Sequence, residues 1–415
     1  MTGLSEVIVI GAGMVGVSTA LHLRLRGHEV MLIDRAAPGE GTSFGNAGII
    51  QREAVIPYAF PRGAGEVLRA ALRRGVDISY HRSALVANAG VLLRYWWNSA
   101  PSRHQRISRA YASLITHCLI EHAPLIELAG AQELIRRDGW LEAYRSESQL
   151  AASAAVAQAI GRDNGVASAV IDGAELARRE PHLRERLAGA VHWRDPWTVR
   201  DPSGLVKAYA HAFEAAGGTL LRGEAEKLEP RAPGWRLRLD GRLAEAEQVV
   251  LATGPWTGPL SRDLGYRLPL FVKRGYHMHY APDPERPLMN WIADLETGYV
   301  LAPMRAGIRL TTGAELAHQH AAPTPVQLGR AEAIARRLFP LGDRLDPAPW
   351  LGSRPCTADM LPVIGPAPRH KGLWFNFGHG HQGLTLGPAS GRLLAEMLDG
   401  ETPYVDPVPF AADRF

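Results

Sequence analysis

The chain of 415 residues has only two cysteines, Cys118 and Cys356. They form no C-x-x-C pair, so there is no sign of a zinc cluster or dithiol redox centre, and so few cysteines fit a reducing compartment. Cys356, with no evident base beside it, reads as a small core residue rather than a reactive thiol. No metal site is expected either: His318 and His320 stand two apart with no carboxylate or cysteine cluster near them. No apolar run reaches the ~18–20 residues of a membrane span. The nearest, Leu85–Trp97, is broken by Asn88, Gly90 and Arg94, and its Trp96-Trp97 pair is expected in a buried core rather than in an interfacial patch. No basic leader precedes the first strand. The expected location is the cytoplasm, with peripheral contact to the inner membrane left open. Charge of one sign is lacking too: 46 basic residues face 42 acidic ones, the net charge is +4, and the arginines are scattered. No nucleic-acid stripe is present. There is no internal repeat or low-complexity tract, and the length suits two domains.

What is present is concentrated at the start. Val7–Ile10 is a run of β-formers that feeds into Gly11-Ala12-Gly13-Met14-Val15-Gly16, then a helical stretch to Arg26, then Glu29–Ile33 ending on Asp34. Strand, G-x-G-x-x-G, helix, strand and acid in that order are the context that turns a weak motif into a strong one. Gly11 permits the tight turn, Gly13 lets the backbone approach a pyrophosphate, and Gly16 lets the helix pack closely on the strand. The phosphates would meet unpaired N–H groups at the positive end of the helix. Asp34 would accept from an adenosine ribose, and its charge argues against a 2′-phosphate. Arg35 beside it reads as a solvated loop cation. An ordinary buried βαβ unit with a glycine-rich turn is the alternative.

Further along, apolar residues recur at helical spacing from Ile107 to Ala129, with Pro124 expected to kink or divide that helix. Helices are expected over 149–164, 173–180 and 201–216, the last opened by Asp201-Pro202-Ser203. Trp235–Leu239 and Ala244–Glu247 read as a hairpin. Val249–Gly254 reads as a separate parallel strand buried on both faces. Phe271–Tyr280, Tyr299–Ala302 and Ile308–Thr312 look like sheet, and 325–338 like a helix. Gly372–Phe377 is a strand that runs through Gly378-His379-Gly380-His381-Gln382-Gly383 into a helix over 388–398, with Pro388 in its first turn. The α/β material lies at the two ends and around 190–260, with a strand-rich block between. Such a discontinuous dinucleotide domain is more typical of flavin enzymes than of nicotinamide ones, a fold-level analogy.

These segments, VIVIGAGMVG (7–16), GTSFGNAG (41–48), VVLATGPW (249–256), KRGYHMHY (273–280), RLTTGAE (309–315), GSRPCTADMLPVIG (352–365) and FGHGHQGLTLGPASGRLLAEML (377–398), resemble in content and order the D-amino-acid oxidase-like superfamily of FAD oxidoreductases, in particular the bacterial D-amino-acid dehydrogenase type. The resemblance implies an α/β fold: a discontinuous Rossmann-like FAD domain (1–90, 190–262, 350–415) and an inserted α+β substrate domain (91–189, 263–349) with a mainly antiparallel sheet. It places Gly11, Ala12, Gly13, Met14, Val15, Gly16, Asp34 and Arg35 at the ADP half of FAD. Thr42 and Ser43 reach phosphate or ribityl oxygens, and Asn46, Ala47, Gly48 and Ile49 lie along the isoalloxazine edge. Thr253, Gly254 and Trp256 follow the capping strand, while Gly378, Gly380, Gln382, Gly383, Leu384 and Thr385 wrap the pyrimidine end. With no cysteine after 356 and no histidine in 41–48, noncovalent FAD is expected.

The implied reaction is oxidative deamination of a D-amino acid, with hydride transfer from Cα to flavin N5 giving an imino acid; oxidation of an N-alkylated or cyclic amino acid is the alternative. The electron acceptor is oxygen or a quinone. The cofactor supplies the redox chemistry and the protein supplies orientation and electrostatics. Arg354 is expected to fork onto the substrate carboxylate. His379, within the flavin-wrapping loop, ranks first among candidate polar groups and Tyr276 second, followed by Tyr299, His277 and His381. The N-terminus of the C-terminal helix is expected to face the flavin N1–C2=O edge. No dedicated base is required, because a desolvated pocket lowers the pKa of the amine.

Overall fold

The computed structural model describes residues 5–63 and 78–415. Two large sheets organise the chain. The first has eight strands. Thr219–Arg222, Val30–Asp34, Ser5–Ile10, the second half of Arg242–Leu251 and Leu373–Phe377 run parallel. Their side chains are apolar on both faces: Val7 and Val9 enter one core, Ile8 and Ile10 another. That is what a parallel sheet covered on both sides demands. Arg242–Leu251 is a single strand, where the sequence suggested two. Its first half closes an antiparallel hairpin with Trp235–Leu239, and Val249–Leu251 then pairs in parallel with Leu373–Phe375.

The second sheet has ten strands and is mainly antiparallel. At its centre Leu270–Tyr280 pairs on one side with Gly307–Thr312 and Ala314–Leu316, and on the other with Trp350–Thr357. The strands Ile78–Tyr80, Gly189–Trp193 and Trp350–Thr357 belong to this sheet, although their segments were expected in the cofactor unit.

Two helical expectations need correction. The 107–129 pattern forms Pro101–Ile115 and Cys118–Leu128, divided at Thr116-His117 rather than at Pro124, which lies inside the second helix. The C-terminal helix spans Gly383–Leu398, so Pro388 is in its interior. Proline there cannot donate to the carbonyl of Leu384. His122 makes up the loss: its Nε2 lies 2.9 Å from the Leu384 carbonyl, and its Nδ1 2.9 Å from the Tyr209 hydroxyl. A carbonyl only accepts, so the proton sits on Nε2 and Tyr209 donates to Nδ1. Burial holds this imidazole neutral, with a pKa near 4.

The same helix crosses Met14–Leu25 at close range. A Cβ on Gly387 would stand 2.5 Å from Met14 Cγ, and one on Gly391 2.9 Å from the Ser18 backbone. The two ends of the chain are thereby packed against each other. Trp96 and Trp97 are not core residues. Trp97 is 55% exposed, and the guanidinium groups of Arg62 and Arg103 lie 4.1 and 3.9 Å over the rings of Trp96 and Trp97. Stacked cations cover these faces in place of a core. No helix among the described residues is long and apolar enough to cross a membrane.

Candidate active site

A single cleft of about 1720 Å³ runs from the first glycine turn to the ten-stranded sheet. Ordinary small-molecule pockets hold about 300–1,000 Å³, so this one has room for a dinucleotide and a second ligand.

At its nucleotide end the backbone does most of the shaping. Gly11 has φ +110°, and a Cβ there would stand 2.5 Å from the Ala252 carbonyl; one on Gly16 would stand 1.7 Å from the Gly11 carbonyl. Gly13, the residue before the helix Met14–Leu25, is different. Its Cβ would meet only Ser43 Oγ, at 3.3 Å, so its face is open to the cleft. The helix carries no acid in its first turn, which leaves its positive end available to an anion. Ser43 Oγ accepts from Met14 N–H at 3.0 Å. Asp34 lines the cleft and accepts from the N–H groups of Ala12 (2.7 Å) and Ala36 (2.9 Å). Arg35 is exposed, as expected of a loop cation, and its guanidinium stacks 4.4 Å over Trp256 at the cleft wall, which both residues line. Met14, Val15, Thr253 and Gly254 line it as well, whereas Ala12 and Gly16 stand behind the wall.

The middle of the cleft is framed by Thr42, Asn46, Ala47 and Ile49 from one side and Gly378–Leu384 from the other. Long-range bonds fix both. Thr42 Oγ1 donates to the Ser353 carbonyl (2.9 Å), Trp291 Nε1 to Ala47 O (3.0 Å), and buried Arg309 to the carbonyls of Phe44 (2.9 Å) and Asn46 (2.6 Å). Gly48 (φ +72°) faces away from the cleft, against the Val199 carbonyl. Gly380 N–H donates to Pro355 O at 2.8 Å, clamping the C-terminal loop to the strand that carries Arg354. Gln382 Nε2 donates to Gln51 Oε1 at 2.7 Å. Thr385 does not line the cleft; its hydroxyl locks the helix to Ile49 and Gln51.

At the far end Arg354 and Lys273 are cross-strand partners. Both line the cleft, and neither forms an ion pair with any carboxylate among the described residues. Burial pulls both pKa values down. The Arg354 guanidinium lies over Gly275, where a Cβ would stand 2.4 Å from Nη2; Nη1 donates to Gly313 O at 3.1 Å. Gly275 is thus the vacancy that seats the arginine. Lys273 was missed in the sequence, although it opens the quoted KRGYHMHY segment.

The structure also separates the candidate polar groups. Tyr276 is buried, and its hydroxyl is committed: it donates to Glu315 (3.0 Å) and accepts from Thr324 N–H (2.7 Å). It belongs to a buried network in which Arg274 Nη2 meets Glu315 at 2.6 Å. His277 lies outside the cleft, stacked between Phe44 and Trp350. His379 lines the cleft, but its Nε2 is 3.1 Å from Ser390 Oγ. Burial, reinforced by the charges of Arg354 and Lys273, holds His381 neutral, with a pKa near 3. Its ring stands 4.7 Å from that of Tyr58. Tyr299 forms part of the wall, its phenol raised by burial and by the Asp294 charge.

A parallel sheet with a glycine turn, an acid at the end of the second strand, and a cleft passing from there to a pair of unpaired cations define a dinucleotide-dependent oxidoreductase. The chain belongs to the DAO family, FAD dependent oxidoreductases, whose description matches residues 6–397. It is similar to a D-amino-acid oxidase of Bradyrhizobium diazoefficiens, with 32% identity covering 99% of each chain. It is also similar to a D-amino acid dehydrogenase of Rhizobium johnstonii, with 30% identity over 99% of this chain and 100% of that one. Among solved structures it resembles glycine oxidase from Geobacillus kaustophilus (TM-score 0.74, 24% identity, 100% of both chains). L-proline dehydrogenase from P. horikoshii is similar in fold (TM-score 0.75, 18% identity, covering 100% and 98%). The protein is an FAD-dependent oxidoreductase of the D-amino-acid oxidase/dehydrogenase type. The residues fit FAD: the open face of Gly13, the acid-free helix end and Asp34 in the cleft wall are what a pyrophosphate and ribose require.

Proposed function

We propose that this enzyme oxidises the Cα–N bond of a D-amino acid to the imino acid, holding FAD without a covalent bond. The observation that carries the reading is the Arg354–Lys273 pair, two cations without an acid partner among the described residues at the end of a cleft that begins at the glycine turn. A buried guanidinium with unspent N–H donors is a carboxylate receptor. The relatives named as acting on D-amino acids cover the chain end to end. FAD, when bound, supplies the two-electron acceptor. The chain's own residues do the rest. Arg354 fixes the carboxylate, with Lys273 beside it. Neutral His381 and Tyr58 border that group without adding a competing anion. The low-dielectric pocket favours the neutral amine, the form that can be oxidised. Both cysteines are buried in core clusters, with thiol pKa values raised by burial, which supports noncovalent attachment. In this reading the eight-stranded sheet is the cofactor domain and the ten-stranded sheet the substrate domain.

The test is anaerobic bleaching of the yellow protein with D-, L-, cyclic and N-methyl amino acids. Reduction by D-amino acids in preference to the others is the expected result. Bleaching only by sarcosine or proline would replace the D-amino-acid reading with the N-alkyl or cyclic one.

A further inference from the structure

The cleft has a second polar pole. The strand Trp140–Tyr144 alternates strictly, so Trp140, Glu142 and Tyr144 turn to the cleft side, the two aromatic rings packed into the core beneath its wall and only 4% and 3% exposed, while Leu141 and Ala143 enter the core behind the sheet. Trp193, the cross-strand partner of Trp140, also lines the cleft. Glu53 joins them from the loop after the glycine-rich segment. It is only 5% exposed: Oε1 accepts from Trp140 Nε1 and Gln51 Nε2, both at 3.1 Å, and Oε2 has no hydrogen-bond partner among the described residues. Glu142 is half-buried; the Tyr144 hydroxyl donates to its Oε2 at 3.2 Å, and the Trp193 indole faces it. No cation among the described residues forms an ion pair with either carboxyl group. Three aromatic walls around two unpaired carboxyl groups are a receptor for an organic cation, because ring faces and carboxylates both attract positive charge.

The poles belong to one space. Tyr58 lines the cleft, 65% exposed, and the charges of Glu142, Arg354 and Glu53 all act on its hydroxyl. An occupant held at Arg354 by an anionic group therefore has a cation-accepting wall across the same cleft.

We propose that Trp140, Tyr144 and Trp193, with Glu53 and Glu142, form a side-chain subsite, and that the substrate is an amino acid whose side chain ends in a guanidinium or ammonium group. The inference rests on the amino-acid oxidation proposed above. It adds a specificity: of two substrates of equal length, the one with the charged terminus is favoured.

D-Arginine and D-citrulline make the comparison, differing in a guanidinium against a neutral urea of the same shape. The holoenzyme is expected to show kcat/KM at least tenfold higher for arginine, and Glu142→Gln to lower that ratio at least tenfold. Equal values in the unaltered enzyme, or a ratio unmoved in Glu142→Gln, would overturn the subsite. A binding measurement needs neither turnover nor a variant. In the flavin absorbance, 5-guanidinopentanoate is expected to give a perturbation with a Kd at least tenfold below that of 5-ureidopentanoate, and equal affinities would count against the subsite. The two readings fail separately. Bleaching by neutral D-amino acids with no cation preference removes the subsite and leaves the reaction. Guanidino-acid binding with no amino acid of any kind bleaching the flavin keeps the subsite and removes the reaction.

Discussion

The nucleotide end of the cleft and its substrate end are built from different materials. The first is made of backbone: glycines at 11, 13 and 16, a helix terminus, and one acid at the end of a neighbouring strand. Its glycines and its acid come from one short stretch of chain, and the group proposed to sit there, the ADP half, is the same in every FAD enzyme. The second is made of side chains delivered from residues 53, 58, 142, 193, 273, 354 and 381, which meet only after both sheets have formed. The difference teaches that a generic ligand needs a shape that few residues can make, whereas a particular substrate needs charges in places that only tertiary structure can supply.

The comparison breaks most sharply at the wall's buried support. Glu315→Ala leaves Arg274, fully buried, without its counter-charge, and is expected to destabilise the fold by about 3–5 kcal/mol. Denaturant unfolding checks this, with the double replacement Arg274→Met/Glu315→Leu expected to recover most of the loss. Arg354→Met should lower kcat/KM on the order of a hundredfold or more, from about 2–5 kcal/mol for a carboxylate left in the cleft without its partner; steady-state kinetics with the flavin content matched to the unaltered enzyme measures it. On the cradle side, His122→Phe strips the donor from the Leu384 carbonyl and should cost about 1–3 kcal/mol, again read by denaturant unfolding. Gly13→Val sharpens the contrast. Its side chain meets little protein, so the unfolding midpoint of the flavin-free protein should barely move while FAD affinity falls at least about tenfold, since close backbone approach is the glycine's role. A loss of apoprotein stability equal to the loss of affinity would show that Gly13 is structural.

The smallest effect concerns pH. Burial, reinforced by the Glu142 charge, raises Glu53 to a pKa of about 8. Below that value the group is neutral and above it anionic, so attraction for a side-chain cation grows as pH rises through 8. The D-arginine to D-citrulline ratio of kcat/KM should therefore climb by a few-fold between pH 7 and 9, the substrates' shared α-amine titration largely cancelling. A flat or falling ratio would show that Glu53 takes no part.

This division also explains what could be read in advance. The glycine turn, Asp34 and the parallel strands were legible because each is a contiguous pattern with one physical meaning. The place of Arg354 in the cleft wall was legible through the family's motif. The choice between His379 and His381 was not, since it depends on which ring the loop turns toward Ser390 and which toward Arg354. Tyr276 looked available because nothing in its neighbourhood in the chain announces Glu315 or Thr324. Trp96 and Trp97 were misjudged because arginines stacked on their faces, invisible in a composition rule, let them stay outside. Pro388 signalled a helix start by its type, and only the distant His122 makes its interior position tolerable. Glu53 and Glu142 could not have been paired from sequence, being 89 positions apart on separate elements.

The packing of Gly387 and Gly391 onto the helix Met14–Leu25 has a consequence for biogenesis. Strand Ser5–Ile10 and helix Met14–Leu25 depend on residues more than 350 positions later: the strand is parted from Leu373–Phe377 by a single neighbour, and the helix is covered by Gly383–Leu398. A chain ended before residue 373 lacks both the helix that covers Met14–Leu25 and the Gly378–Leu384 wall of the cleft, so its product is expected to be colourless rather than a weakened enzyme.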